Sequence, residues 1–228
     1  MKVTYYGHSA FGLEADGQAV LIDPFITGDP AAHVSADTVN ADTILLTHAH
    51  NDHVGDTVAI AKRCNATVIA TFELANWIGS QGVEKTIGGN FGGTIQFPGG
   101  SAKFVPAWHT SSYSTESGVV APGVPAGYVV RFGGLTTYFA GDTNLFLDMQ
   151  LIGEEGLDIA VIPIGDHFTM GPKDAARAAT LLKARTVIPC HYNTFPPIQQ
   201  DAGAFKQDVE SRTDSKVVVM KPGDSREF

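Results

Sequence analysis

The strongest constraint on this chain is a short run of ligand-type residues. Residues 48–53 read His48-Ala49-His50-Asn51-Asp52-His53, an H-x-H-x-D-H pattern directly after the apolar stretch Thr43–Leu46. Three imidazoles and a carboxylate within six residues are hard to explain as packing, because each would need a polar partner if buried. In an extended segment, positions 48, 50 and 52 project to one side, and His53 can turn in where a helix begins. Imidazole and carboxylate are the usual ligands of zinc and related divalent ions. Four such groups on their own would fill one closed, structural site.

Three further candidates each sit just beyond an apolar strand-like stretch. His109 follows Phe104–Trp108, Asp142 follows Thr137–Gly141, and His191 follows Val187–Cys190. Any one of them alone reads as an ordinary polar residue. Together with the 48–53 run they bring the ligands to seven, enough for two metal ions with open coordination positions. That number favours a catalytic site over a structural one. Zinc is the first expectation, and manganese or iron also suits imidazole and carboxylate donors.

The surrounding pattern alternates short strands with helices. Strands are expected at Val3–Tyr6, Ala10–Glu14, Ala19–Ile22, Thr43–Leu46 and Thr67–Ala70, with Asp16-Gly17 as a tight turn. Val54, Val58 and Ala61 share one helix face, predicting a single helix that ends near Arg63, and Phe72–Ile78 reads as a short helix. Glycine and proline punctuate strands at Thr94–Phe97 and Ala102–Pro106, and Tyr128–Phe132 with Leu135–Ala140 forms a hairpin about Gly133-Gly134. The last third predicts strands at Asp158–Ile164, Thr186–Pro189 and Lys216–Met220. Between them lie a helix opened by Pro172 and another capped by Asp201. Strands with helices between and after them imply an α+β arrangement of sheets flanked by helices. No linker or repeat interrupts residues 1–228, so a single domain is expected.

Composition narrows the function. Fifteen basic against twenty-four acidic residues give a net charge of −9 among 228 residues, a poor match to nucleic acid or anionic lipid. Two cysteines, Cys64 and Cys190, make no disulfide framework. The start of the chain has no signal-peptide pattern, and no apolar run reaches the length of a membrane span. A cytoplasmic protein acting on a small molecule is expected, and self-association into a homo-oligomer stays open.

The motifs, taken in order, resemble those of the metallo-β-lactamase-fold hydrolases. Asp23 in Leu21-Ile22-Asp23-Pro24, the 48–53 run, His109, Asp142 in Gly141-Asp142-Thr143, and His191 match the five motifs of that family. More narrowly, Tyr6-Gly7-His8-Ser9, Gly165–Pro172 and Pro189–Thr194 look like the UPF0173 metal-dependent hydrolases, which are similar to the L-ascorbate-6-phosphate lactonase branch. The resemblance implies a four-layer αββα sandwich with metals on one edge between the sheets. It also implies that His48, His50 and His109 hold one ion and that Asp52, His53 and His191 hold the other. Asp142 would bridge the two, and Asp23 would orient a ligand imidazole. The reaction implied is attack by a metal-bound hydroxide on an ester, lactone or phosphodiester, with Asp52 as the catalytic carboxylate.

Two other readings use the same residues: an iron-dependent oxidoreductase of this fold, and a non-catalytic metal-binding protein. The flavin-partnered oxidoreductases of the family typically carry Glu where this chain has His50, and 228 residues leave no room for a flavin domain. His8 and His167 follow strand-like stretches and are candidates for contacting substrate. His33 is expected on the surface and Cys190 in the core. Trp108, Tyr113 and Phe195 flank the ligands as packing residues or pocket walls.

Overall fold

The computed structural model describes residues 1–228. A first seven-stranded sheet contains β1 (Lys2–Gly7), β2 (Ala10–Ala15), β3 (Gln18–Ile22), β4 (Thr43–Leu45), β5 (Thr67–Thr71) and β6 (Thr86–Gly89), side by side in chain order. Next come β7 (Thr94–Phe97) and β8 (Gly100–Pro106), a separate hairpin of β9 (Tyr113–Thr115) and β10 (Gly118–Val120), then β11 (Ala126–Phe132) and β12 (Leu135–Phe139). With β13 (Ile159–Pro163), β14 (Thr186–Cys190) and β15 (Lys216–Val217), these strands form a second sheet in the order β15-β14-β13-β12-β11-β8-β7. The last strand, β16 (Ser225–Glu227), returns to the first sheet beside β1.

Three apolar clusters define four layers. The inter-sheet core joins Phe11, Leu45 and Ile69 of the first sheet to Phe104, Tyr128 and Ile188 of the second. On the outer face of the first sheet, Ile44 and Val68 meet Ile60 of α2 (Thr57–Cys64) and Leu74 and Ile78 of α3 (Phe72–Ser80). Against the second sheet, Ala160, Ile162 and Val187 meet α4 (Met149–Gly153), α5 (Pro172–Leu182) and α6 (Ala202–Arg212). Alanines 175, 176, 178 and 179 give α5 a flat buried face. Asp201 caps α6 as expected, accepting from the N–H groups of Gly203 and Ala204 at 2.8 and 3.0 Å. The result is an αββα sandwich. No helix is long and apolar enough to cross a membrane.

Two local expectations are corrected. The helix expected to run from Val54 to Arg63 is divided into α1 (Asn51–Val54) and α2. The break falls at Gly55, where φ is +42° and an added Cβ would lie 2.4 Å from the Pro24 carbonyl oxygen. Asp56 then accepts from the N–H groups of Ile26 and Thr27 at 3.0 and 2.8 Å, tying the break to the loop after β3. The strand expected over Lys216–Met220 is confined to Lys216–Val217, because the chain leaves this sheet to return to β1 through β16.

Candidate metal centre

β1, β3 and β4 share one direction, as do β8, β12 and β14, through their pairings with the strands between. Their C-terminal ends fall along a common edge, and each is followed by one of the candidate residues. Gly141, at φ +61°, lets the two edges meet: an added Cβ would lie 2.8 Å from the Thr47 Cβ. His8, Asp23 and His191 have φ of +47°, +44° and +53°, a region that side-chain-bearing residues seldom adopt and that recurs at functional sites. The His191 N–H donates to the His8 carbonyl at 2.8 Å, so the turn after β14 is fastened to the turn after β1.

Two groups of ligand-type atoms result, each with all its members within 4.8 Å of one another. One comprises His48, His50, His109 and Asp142; the other comprises His8, Asp52, His53 and His191. Asp142 touches both. Its Oδ2 lies 3.0 Å from His191 Nε2, 3.5 Å from His109 Nε2 and 3.9 Å from His48 Nε2, and its Oδ1 lies 3.3 Å from His53 Nε2.

The tautomers follow from the hydrogen bonds. The Thr47 hydroxyl donates to Asp23 Oδ2 at 2.6 Å, so its oxygen can only accept the proton of His48 Nδ1, 3.0 Å away. His48 Nε2 is therefore a lone pair facing the cluster. Asp23 also accepts from His53 Nδ1 at 2.8 Å and from the Thr47 N–H at 2.8 Å. In the neutral ring, His53 Nε2 and Asp142 Oδ1 are then two acceptors facing each other, and both are buried without a hydrogen-bond partner. His191 Nδ1 is also buried and unpartnered. Buried polar atoms left unpaired cost about 1–3 kcal/mol each, and a divalent cation between the facing lone pairs of His53 Nε2 and Asp142 Oδ1 removes that cost for those two atoms; His191 turns Nε2, not Nδ1, toward Asp142. The donor set fits such an ion.

Burial and neighbouring imidazoles hold His48 well below the usual histidine range, and His50 and His109 are lowered chiefly by burial. His53 moves the other way: burial opposes its charge, but Asp142 and Asp23 outweigh it and raise the ring well above its ordinary value. Asp52 is lowered despite burial, first through its hydrogen bond with His8 and then by His53. Asp142 is held low against burial by His191 and His53. At neutral pH the centre thus presents ionised carboxylates at Asp52 and Asp142 and neutral rings at His48, His50 and His109, the states in which metals are bound, while His53 keeps a proton that an ion must displace.

His8, expected near the metal edge as a substrate contact, has a wholly buried ring with both nitrogens engaged. Nε2 lies 3.0 Å from Asp52 Oδ2, and Nδ1 lies 2.9 Å from Thr194 Oγ1. Its ring is thereby fastened to the Asp52 carboxylate and the Thr194 hydroxyl. His167 is exposed, edge-on to Phe168 with ring centroids 4.5 Å apart, and is not brought to the ligand cluster. His33 is exposed and Cys190 lies in the inter-sheet core. Tyr113 packs on Trp77 at 4.7 Å, Phe195 covers His8 at 5.5 Å, and Trp108 stands 65% exposed. Thr47 and Thr194 carry parts of the network that the sequence did not single out; each is a neighbour, within three residues, of a ligand histidine.

A family model described as a beta-lactamase superfamily domain matches residues 2–191. A UPF0173 metal-dependent hydrolase of Geobacillus thermodenitrificans is 55% identical over 90% of this chain and 91% of its own length. One from Methanopyrus kandleri is 48% identical over 100% of both chains. The solved structure of Igni18, a metallo hydrolase from the archaeon Ignicoccus hospitalis, superposes with a TM-score of 0.90 at 40% identity, covering 100% of this chain and 98% of that one. The chain belongs to the beta-lactamase superfamily and, within it, to the UPF0173 metal-dependent hydrolases.

Proposed function

We propose that residues 1–228 act as one dinuclear hydrolase domain that cleaves an ester, lactone or phosphodiester bond in a small molecule. The observation that carries this reading is the reach of Asp142, whose carboxylate lies within 3.0–3.9 Å of four imidazoles drawn from both ligand groups. In this reading His48, His50 and His109 hold one ion, Asp52, His53 and His191 the other, and Asp142 is shared. Two divalent ions, zinc foremost, would supply Lewis acidity and a water acidic enough to react at neutral pH.

The chain's own part is positioning. Asp23 accepts from His53 and from Thr47, which in turn fixes His48, so one buried carboxylate orients two ligand rings. Asp52 is the more open of the two ligand carboxylates, with 31% of its side chain exposed against 3% for Asp142. It faces incoming substrate and orients the attacking water, while His8 keeps its carboxylate from turning. Protein reconstituted with zinc is expected to turn over at least one of an ester, a lactone and a phosphodiester. Chelation should abolish that activity and added metal restore it. Full metal loading without turnover of any of the three would contradict the reading.

A further inference from the structure

The loops around the centre carry a distinctive side-chain set. Residues 23–34, 47–56, 107–125, 140–148, 164–171 and 191–201 follow strands that end along the ligand-bearing edge, β13 among them although it carries no ligand itself, and all fifteen lysines and arginines lie outside these segments. Lys103 and Arg131 are paired with Glu155 on the second sheet. Arg63 is bonded to Asn40 at the far end of α2. Lys173 and Arg177 sit on α5, where Arg177 faces Asp174 at 3.4 Å, and Lys206 on α6 donates to the Val217 carbonyl at 2.9 Å. The charged side chains the loops do expose include carboxylates, among them Asp148 and Asp166.

Aromatic side chains stand in the same loops. Trp108, beside His109, is 65% exposed and Phe168 is 52% exposed. Their loops are stitched to the one bearing Asp142: the Trp108 N–H donates to Thr143 Oγ1 at 2.9 Å, and the Met170 N–H donates to the Thr143 carbonyl at 3.0 Å. On the other side of the centre Phe25 and Phe195 enclose His8, with ring centroids at 5.7 and 5.5 Å.

From this distribution we infer that the centre takes an uncharged carboxylic ester or lactone with an apolar group beside the scissile bond, and discriminates against substrates bearing a second anionic group. The inference rests on the hydrolytic reading above and narrows it. Any anion generated at the scissile bond is served by the metal centre itself. A phosphate or carboxylate farther along the substrate would meet aromatic faces and carboxylates, with no guanidinium or ammonium to replace its water. A sugar-acid phosphate, as the likeness to the ascorbate-6-phosphate lactonase branch would suggest, lacks a cationic partner here.

The test compares 4-nitrophenyl pentanoate with 4-nitrophenyl hemisuccinate, nearly equal in size and differing by one terminal charge, on the zinc-loaded protein, with the hemisuccinate's own enzyme-free cyclisation to succinic anhydride measured in parallel and subtracted. We expect kcat/KM for the pentanoate to be at least about tenfold higher, the effect of leaving an anion unpaired. Calorimetric titration should likewise show pentanoate binding more tightly than succinate. The Trp108→Lys and Phe168→Lys variants place a cation on exposed positions that ligate nothing, and each should narrow the ratio. Equal or faster cleavage of the hemisuccinate by the unaltered protein would overturn the inference while leaving the hydrolytic reading intact. No turnover of either ester by fully metal-loaded protein would remove ester cleavage itself, and the inference with it.

Discussion

The first sheet delivers His48, His50, Asp52 and His53 from one continuous run, whereas the second delivers His109, Asp142 and His191 one at a time from three strand ends. The contiguous half is held by side-chain hydrogen bonds converging on Asp23. The scattered half is held by backbone: the His191 N–H on His8 and the Trp108 N–H on Thr143. Asp142 itself has no protein partner besides the ligand imidazoles, and its Oδ1 is unpaired. A contiguous motif can thus be oriented locally before the metal arrives. The scattered residues depend on two sheets packing in register, and on the proposed dinuclear reading the Asp142 carboxylate would depend on the ions it shares.

Removing the Asp142 carboxylate should break this contrast most severely. Asp142→Ala is expected to lose at least one metal equivalent and with it turnover, read by elemental analysis after gel filtration; unchanged stoichiometry would show that Asp142 is not shared. Asp52→Asn comes next. It should lower kcat by about a hundredfold or more, further than Asp23→Asn does, and equal modest losses would contradict their separate roles. Asp23→Asn itself should weaken metal affinity by about 10–100-fold, measured by chelator competition, because both His48 and His53 lose their orientation.

Acid sharpens the comparison. Asp142 and Asp23 favour the proton on His53 in the metal-free protein, so an incoming ion must displace it. Affinity should therefore rise with pH, by up to about tenfold per unit, and level off once pH passes the raised His53 value; a flat profile above pH 6.5 would contradict this. The smallest effect is expected at His8. His8→Ala should lower affinity for the ion at Asp52 by about tenfold without lowering that of the other, with partial recovery in His8→Gln, whereas His167→Ala should change neither. Identical metal titrations for His8→Ala and the unaltered protein would remove the positioning role.

Most of this architecture is legible without coordinates. The apolar stretches before His48, His109, Asp142 and His191 are strands or strand ends, and the period of α5 and the cap of α6 are local signals. The break at Gly55 is not, because its cause is the chain at Pro24 passing 2.4 Å from where a Cβ would be. The short hairpin at Tyr113–Val120 and the return of β16 to β1 are likewise set by contacts distant in sequence. At the site, the ligand residue types are visible in the run, but the engagement of both His8 nitrogens, by Asp52 and Thr194, depends on three turns meeting. His167 shares the position of His8 after a strand, yet its loop turns it to solvent.

The most direct test is anomalous diffraction from crystals of the zinc-loaded protein, collected on both sides of the zinc absorption edge. Two peaks are expected, one among His48, His50, His109 and Asp142 and the other among Asp52, His53, His191 and Asp142. A single peak, or a second one that Asp142 does not touch, would contradict a carboxylate shared between two ions.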